Sequence, residues 1–204
     1  FMIAGCGGSG ENNTARTVVP LPNVPLADYE LLFIGNSHSS ANGLPGMVSV
    51  MIENSNLTQS ANAALAPDWG FLADHLENSV TQQTLTNRAW THVILQAQKY
   101  SSSGLNSYPT TAAEEWIRRV KTQNAVPILF PEHPRRDNLS EGRRIYELHL
   151  SISSREYACV APVSLAWDES ILRYPALDLH AADGNHSNYT GSLLTAYVFF
   201  QVIT

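Results

Sequence analysis

The chain has 204 residues, 44% of them hydrophobic and 9% aromatic, long enough for a core that removes roughly 70% of the unfolded surface from water without staples. Charged residues are only 15% and the net charge is −6, which argues against disorder, coiled coil and nucleic acid as a partner. No apolar run reaches the roughly 18 residues of a membrane helix, and two cysteines, Cys6 and Cys159, cannot make a disulfide framework.

Phe1 to Cys6 reads apolar, then small, then cysteine. Gly7-Gly8-Ser9-Gly10-Glu11-Asn12-Asn13-Thr14 follows as a flexible polar tether, then a stretch with Pro20, Pro22 and Pro25. Ile3-Ala4-Gly5-Cys6 resembles the lipobox of bacterial lipoproteins. That resemblance implies a lipid on Cys6, loss of what precedes it, and anchoring to a membrane of the bacterial envelope; the sequence would then begin inside the apolar part of a signal peptide. Residues 1–27 are expected to be signal remnant and tether, and residues 28–204 the folded domain.

Tyr29-Glu30-Leu31-Leu32-Phe33-Ile34-Gly35 is a nearly continuous apolar run closed by glycine, the pattern of a strand buried on both faces. Runs at 91–96, 125–130 and 157–163 repeat it, with Pro127 and Pro162 blurring the bounds of the last two. Between them, Leu44, Met47, Val48, Met51 and Ile52 recur at helical spacing around Pro45. Thr111-Ala112-Ala113-Glu114 reads as a capping box ahead of Trp116, Ile117 and Val120. Ser140 is placed to cap a helix that turns Ile145, Leu148 and Ile152 inward and leaves Arg143 and Arg144 to solvent. The last helix, after Asn188, is apolar nearly all round and is expected to be well buried. Strands alternating with helices predict an α/β fold with a parallel sheet covered on both faces. Regular alternation also requires a strand within 53–66, where the pattern is weak.

In an open parallel sheet, ligands sit at the carboxyl ends of the strands. After the first run comes Gly35-Asn36-Ser37-His38-Ser39, which puts a serine at a helix start. Alone it is an ordinary capping serine. Near the C-terminus, Asp183-Gly184-Asn185-His186 places a carboxylate and an imidazole three apart on a turn. The carboxylate can fix one ring nitrogen and leave the other free as a base. A nucleophile from one turn and an Asp–His pair from the other is what a serine hydrolase needs. Position 39 is Ser, so the Gly-x-Ser-x-Gly elbow of α/β-hydrolases is not met.

With these two blocks the chain resembles the SGNH, or GDSL-type, hydrolases, and more narrowly a bacterial branch with Gly-Asn-Ser in the first block. Leu31-Leu32-Phe33-Ile34-Gly35-Asn36-Ser37 matches the nucleophile block and Asp183-Gly184-Asn185-His186 the Asp-x-x-His block. The resemblance covers about 28 to 204. It implies a three-layer α/β/α sandwich, flavodoxin-like, with Ser37 as nucleophile and His186 as base oriented by Asp183. The middle blocks depart from the common pattern. Gly70, in Ala66-Pro67-Asp68-Trp69-Gly70-Phe71-Leu72, stands where the family offers a glycine N–H to the oxyanion. Val93-Ile94-Leu95-Gln96-Ala97-Gln98 has no Asn, so Gln98 is expected to supply the amide, with Gln96 its rival.

The reading is a metal-independent serine esterase that cleaves short acyl groups, acetyl first, from carbohydrate. The oxyanion hole would be made by the N–H groups of Ser37 and Gly70 and the Gln98 amide. A short-chain lipase or thioesterase of the same fold is the enzyme alternative. A non-catalytic carbohydrate-binding lipoprotein is the alternative of another class, favoured if His186 lies beyond hydrogen-bond reach of Ser37. No His-Glu-x-x-His, paired Cys-x-x-Cys or phosphate-cradling glycine loop appears, so neither metal nor cofactor is expected.

Overall fold

A computed structural model describes residues 27–67 and 69–204; Cys6 and the tether lie outside the described residues. The strands are β1 (Tyr29–Ile34), β2 (Ala61–Leu65), β3 (His92–Leu95), β4 (Val126–Leu129) and β5 (Cys159–Val160). They form one sheet in the order β2-β1-β3-β4-β5, every pair parallel. Chain order reverses between β1 and β3, which makes their carboxyl ends the topological switch point. The strand required within 53–66 is β2, running from Tyr29↔Ala61 to Phe33↔Leu65. It is an edge strand of small residues with Asn62 exposed, so it carries little of the apolar signal of a buried strand.

Pro127 sits inside β4 without breaking it. Val126 N–H donates to Thr91 O on the β3 side. The missing donor of Pro127 therefore points toward β5, whose ladder starts only at Ile128↔Cys159.

Two helical layers cover the sheet. On one face α2 (Leu44–Ser55), α7 (Val163–Arg173) and α8 (Tyr189–Ile203) pack Val48, Ile52, Trp167 and Phe199 against Leu31, Phe33, Ile94 and Ile128. On the other, α3 (Leu72–Glu77), α4 (Ser79–Thr86), α5 (Thr111–Thr122) and α6 (Glu141–Arg155) pack Leu72, Leu85, Trp116, Ile117 and Ile152 against Leu32, Ile34, Val93 and Leu95. A further short helix, α1 (Ser37–Ser40), follows β1 directly.

Three local expectations shift. The cap of α5 is Thr110, one residue early, and its hydroxyl donates to Glu114 at 2.9 Å. Ser140 stands at the N-cap of α6 but makes no capping bond; its hydroxyl accepts from Arg144 at 2.6 Å. Arg144 thus folds back over loop 101–104 instead of standing in solvent. The last helix is not buried all round: Tyr189, Leu193 and Tyr197, spaced by four, form an exposed stripe. No helix among the described residues is long and apolar enough to cross a membrane.

Among the five buried histidines are His75, His133 and His149. Burial lowers the pKa of these three, His133 to about 3. The unfolded chain therefore takes up protons first as pH falls below the ordinary histidine value of about 6.5. Their contribution to stability is intact above that pH and is lost as pH falls toward the folded values, at up to about 1.4 kcal/mol per pH unit for each group. Thermal melts are expected to lose midpoint steadily from about pH 6.5 to 4, above the range in which most carboxylates titrate. A melting temperature flat between pH 7 and 5 would contradict this.

Candidate active site

The strand β1 ends at Ile34, and Asn36 caps α1 by accepting the His38 N–H on its side chain at 3.1 Å. Ser37 is therefore the first residue of a helix, and its own N–H has no acceptor within it. Its hydroxyl is exposed to solvent.

Two side chains pin this turn. Gln96, at the end of β3 and fully buried, accepts from Asn36 N–H at 2.9 Å and from the Ser39 hydroxyl at 3.1 Å. His75, on α3, donates from Nε2 to the Gly35 carbonyl at 2.9 Å, since a carbonyl can only accept. Gly35 must be glycine: a Cβ there would run into Gln96 Oε1 and Ser39 Oγ.

The opposing loop, between α7 and α8, carries Asp183 and His186. Asp183 Oδ1 accepts the N–H groups of Asn185 and His186, each at 2.9 Å. Its Oδ2 lies 2.5 Å from His186 Nδ1. The His186 contact first, then these two N–H groups, hold the Asp183 carboxyl well below the usual carboxylate range. As a carboxylate it only accepts, so the His186 proton is on Nδ1 and Nε2 is bare. That bare nitrogen is 2.8 Å from Ser37 Oγ. The loop is tied down by His133 Nε2–H to Asn185 O at 2.9 Å, Arg136 N–H to Gly184 O at 2.8 Å and Asn42 Nδ2–H to Ser187 O at 3.0 Å. His180 also bridges it, through Nε2 to Pro134 O at 2.8 Å.

The structure thus brings Ser37, His186 and Asp183 into one hydrogen-bonded chain. Gly70 has a left-handed φ of +80°, a backbone that glycine adopts without strain. Its segment is drawn to the same edge by Leu72 N–H to Ala97 O at 3.0 Å and by His75 on Gly35. Gln98 does not serve as expected. Its amide donates to Lys99 O at 2.8 Å and to Pro109 O at 3.0 Å, so both hydrogens are spent on closing the loop 99–109. The rival, Gln96, is likewise spent, giving its amide to Glu132. Ala97 between them has φ +71°, so the chain leaves the strand direction between the two glutamines.

Residues outside the expected set complete the surroundings. His38 is buried, with its ring 5.0 Å from that of His186 and nearly parallel to it. Glu132 stands 4.0 Å from His38. Trp167 is fully buried and stacks on His133 at 4.0 Å, so it is core. Trp69, beside Gly70, is 53% exposed. A cleft of about 540 Å³ runs against Asp183 and is lined also by Arg135, Arg136 and Gly184. Among the described residues no group of three or more His, Cys, Asp or Glu is placed to hold a metal ion.

No family model and no curated protein matches the chain. Solved structures do. A protein described as an SGNH hydrolase from Slackia heliotrinireducens superposes with a TM-score of 0.67 at 22% identity, over 86% of this chain and 99% of that one. The psychrotrophic esterase EstA from Pseudoalteromonas sp., solved inhibited by monoethylphosphonate, gives 0.60 at 17% identity over 86% and 97%. The lipase/acylhydrolase from Enterococcus faecalis gives 0.60 at 14% over 86% and 95%. At these identities the likeness is one of fold: the chain has the α/β/α fold of SGNH hydrolases.

If Gln98 closes a loop, Gln98→Ala is expected to destabilise the protein by about 1–3 kcal/mol, the cost of leaving the two carbonyls unpaired. Amide exchange in residues 99–109 should speed up, while the Ser37–His186 contact, read by NMR, stays unchanged. Unaltered exchange in that loop would contradict the assignment.

Proposed function

We propose that the protein is a serine esterase whose nucleophile is activated by imidazole. The observation that carries this is the continuous chain from Ser37 Oγ through His186 to Asp183, at 2.8 and 2.5 Å. In the reaction, Ser37 Oγ attacks the ester carbonyl while its proton passes to His186 Nε2. Asp183 accepts from Nδ1–H and stabilises the imidazolium. The tetrahedral oxyanion is received by the backbone N–H of Ser37, free at its helix start, and that of Gly70. His186 returns the proton to the leaving alcohol, and water repeats the sequence on the acyl-enzyme. The contact within hydrogen-bond reach favours this over a binding protein that kept the fold.

The rim of the site supports a substrate class. Ser37 is exposed, and His186 and Asp183 side chains are 35% and 50% exposed, so the ester is met at an open surface. Such a site suits a small acyl group on a bulky alcohol. Trp69, exposed next to Gly70, offers an aromatic face of the kind sugars stack on, and Lys99 lies over Phe71 and Tyr108 nearby. Acetylated carbohydrate is the class these features favour. A short-chain lipid or thioester is the second choice.

On a panel of acetylated sugars and nitrophenyl esters, Ser37→Ala should lower turnover of every member about 10³-fold or more in a folded protein. Asp183→Asn should cost heavily by leaving the wrong tautomer, by analogy with the roughly 10⁴-fold loss in a protease triad. Trp69→Ala should raise KM for the sugars and spare nitrophenyl acetate. Undiminished turnover in folded Ser37→Ala would refute the nucleophile; equal effects of Trp69→Ala on both substrate classes would refute the sugar platform.

Anchoring to the bacterial envelope through Cys6 is part of the proposal and rests on the sequence motif alone. Mass spectrometry of the N-terminal peptide from the native host should find lipid on Cys6 and no residues before it. A Cys6 found as a free thiol or joined to Cys159 would overturn the anchoring and leave the chemistry untouched.

A further inference from the structure

Four of the chain's seven histidines, His38, His133, His180 and His186 itself, gather at the Ser37–His186 contact. His38, one residue past Ser37, lays its ring 5.0 Å from that of His186 at an interplanar angle of 22°. His133 meets His38 edge-on, ring centroids 5.1 Å apart at an interplanar angle of 66°. Nε2 of His38 faces Glu132 Oε1 at 4.0 Å, and its Nδ1 is buried with no hydrogen-bond partner. The other oxygen of Glu132 accepts the Gln96 amide, and Gln96 in turn accepts from Asn36 N–H and Ser39. One carboxylate therefore stands behind both the base and the turn that carries the nucleophile.

We propose that Glu132 is a positioning carboxylate of this site, stabilising through His38 the positive charge His186 gains in the reaction and fixing through Gln96 the turn of Ser37. The inference rests on the esterase reading above for His186 as the base. With Glu132 at its back, the face His38 lays on His186 lies toward a negative charge, and a cation forming there is attracted to it. Asp183 holds the edge of His186 and orients it; Glu132 acts on its face.

The other groups around the pair do not cancel this effect. Ser37 of α1 meets His186 at Nε2, and Asp183 meets it at Nδ1. His133, after β4, is kept neutral by burial, with its pKa near 3, and brings no charge. His180 touches His133 and not His186, and spends its Nε2 on Pro134 O. Tyr100, on the Glu132 side, is held as a phenol by burial and by Glu132 and Glu141. His149, behind Glu132, is buried and its pKa is lowered. Arg135 and Arg136 line the cleft beside Asp183, and Arg136 is paired with Asp178 at 3.1 Å.

The test is a titration of the His186 ring by NMR, together with the acid limb of kcat/KM for nitrophenyl acetate. Glu132→Gln keeps the shape and an oxygen to accept the Gln96 amide but removes the charge. The pH midpoint of His186 is expected to fall by roughly half a unit, the size of a screened charge about two ring widths away, and the acid limb should move with it. Glu147→Gln, a matched charge change on the exposed face of α6, should move neither. A midpoint unmoved in Glu132→Gln, or moved equally by Glu147→Gln, overturns the proposal.

His38→Phe keeps a flat ring against His186 and gives a second reading should Glu132→Gln not fold. Its midpoint should also fall. A midpoint unchanged or raised in His38→Phe overturns the proposal. The NMR midpoint needs no turnover. A failure of the esterase reading, seen as full turnover in Ser37→Ala, is therefore distinguishable from a failure of this one.

Discussion

The hydrogen bond from Ser37 Oγ to His186 Nε2 joins residues 149 apart in sequence across the carboxyl edge of the sheet. It is a contact between two surface turns, and surface turns left to themselves wander. The bond therefore depends on groups that take no part in it. On one side Gln96 and His75 hold the Asn36 N–H and Gly35 carbonyl from β3 and α3. On the other, His133, Arg136 and Asn42 hold three carbonyls of the acid loop. Gln96 and His133 follow β3 and β4 and His75 sits on α3, all three buried, so through them the core transmits its rigidity to the site.

The parallel sheet explains why these pins meet. Reversal of strand order between β1 and β3 opens a crevice at their carboxyl ends. Gly35 to Ser39 leaves from β1 and Gln96 from β3, so the two face each other across that crevice. Residues 132–136 leave from β4 next door and reach the acid loop. Burial lowers the pKa of both His75 and His133, and their carbonyl partners make Nε2 the donor in each.

Much of this was legible in the sequence, because the apolar runs of β1, β3 and β4 are buried on both faces and end in polar turns. Ser37 was expected from its place after such a run, Asp183 and His186 from their spacing on a turn near the C-terminus, and all three from the two blocks they sit in. The edge strand β2 was legible only by demand of the alternation, since Ala61, Ala63 and Ala64 carry little signal. Gln98 was assigned from its place in the Leu95-Gln96-Ala97-Gln98 stretch, and the left-handed backbone of Ala97 turns the chain just before it. Nothing in a single sequence announces a non-glycine residue at positive φ. The part played by His38, Glu132 and His75 was hidden for a different reason. Their roles are contacts between elements far apart in the chain, and a lone buried histidine is, on residue type alone, ordinary.

The central claim is that Ser37 is a nucleophile made reactive by His186. Its most direct measurement is covalent trapping: incubate the folded protein with a fluorophosphonate, digest it and locate the adduct by mass spectrometry. The account predicts one adduct, on Ser37, forming rapidly in the intact protein and slowed by orders of magnitude in His186→Ala, where the base is gone and the turn remains. An intact protein that takes no label, or labels Ser37 equally fast with and without His186, would contradict it.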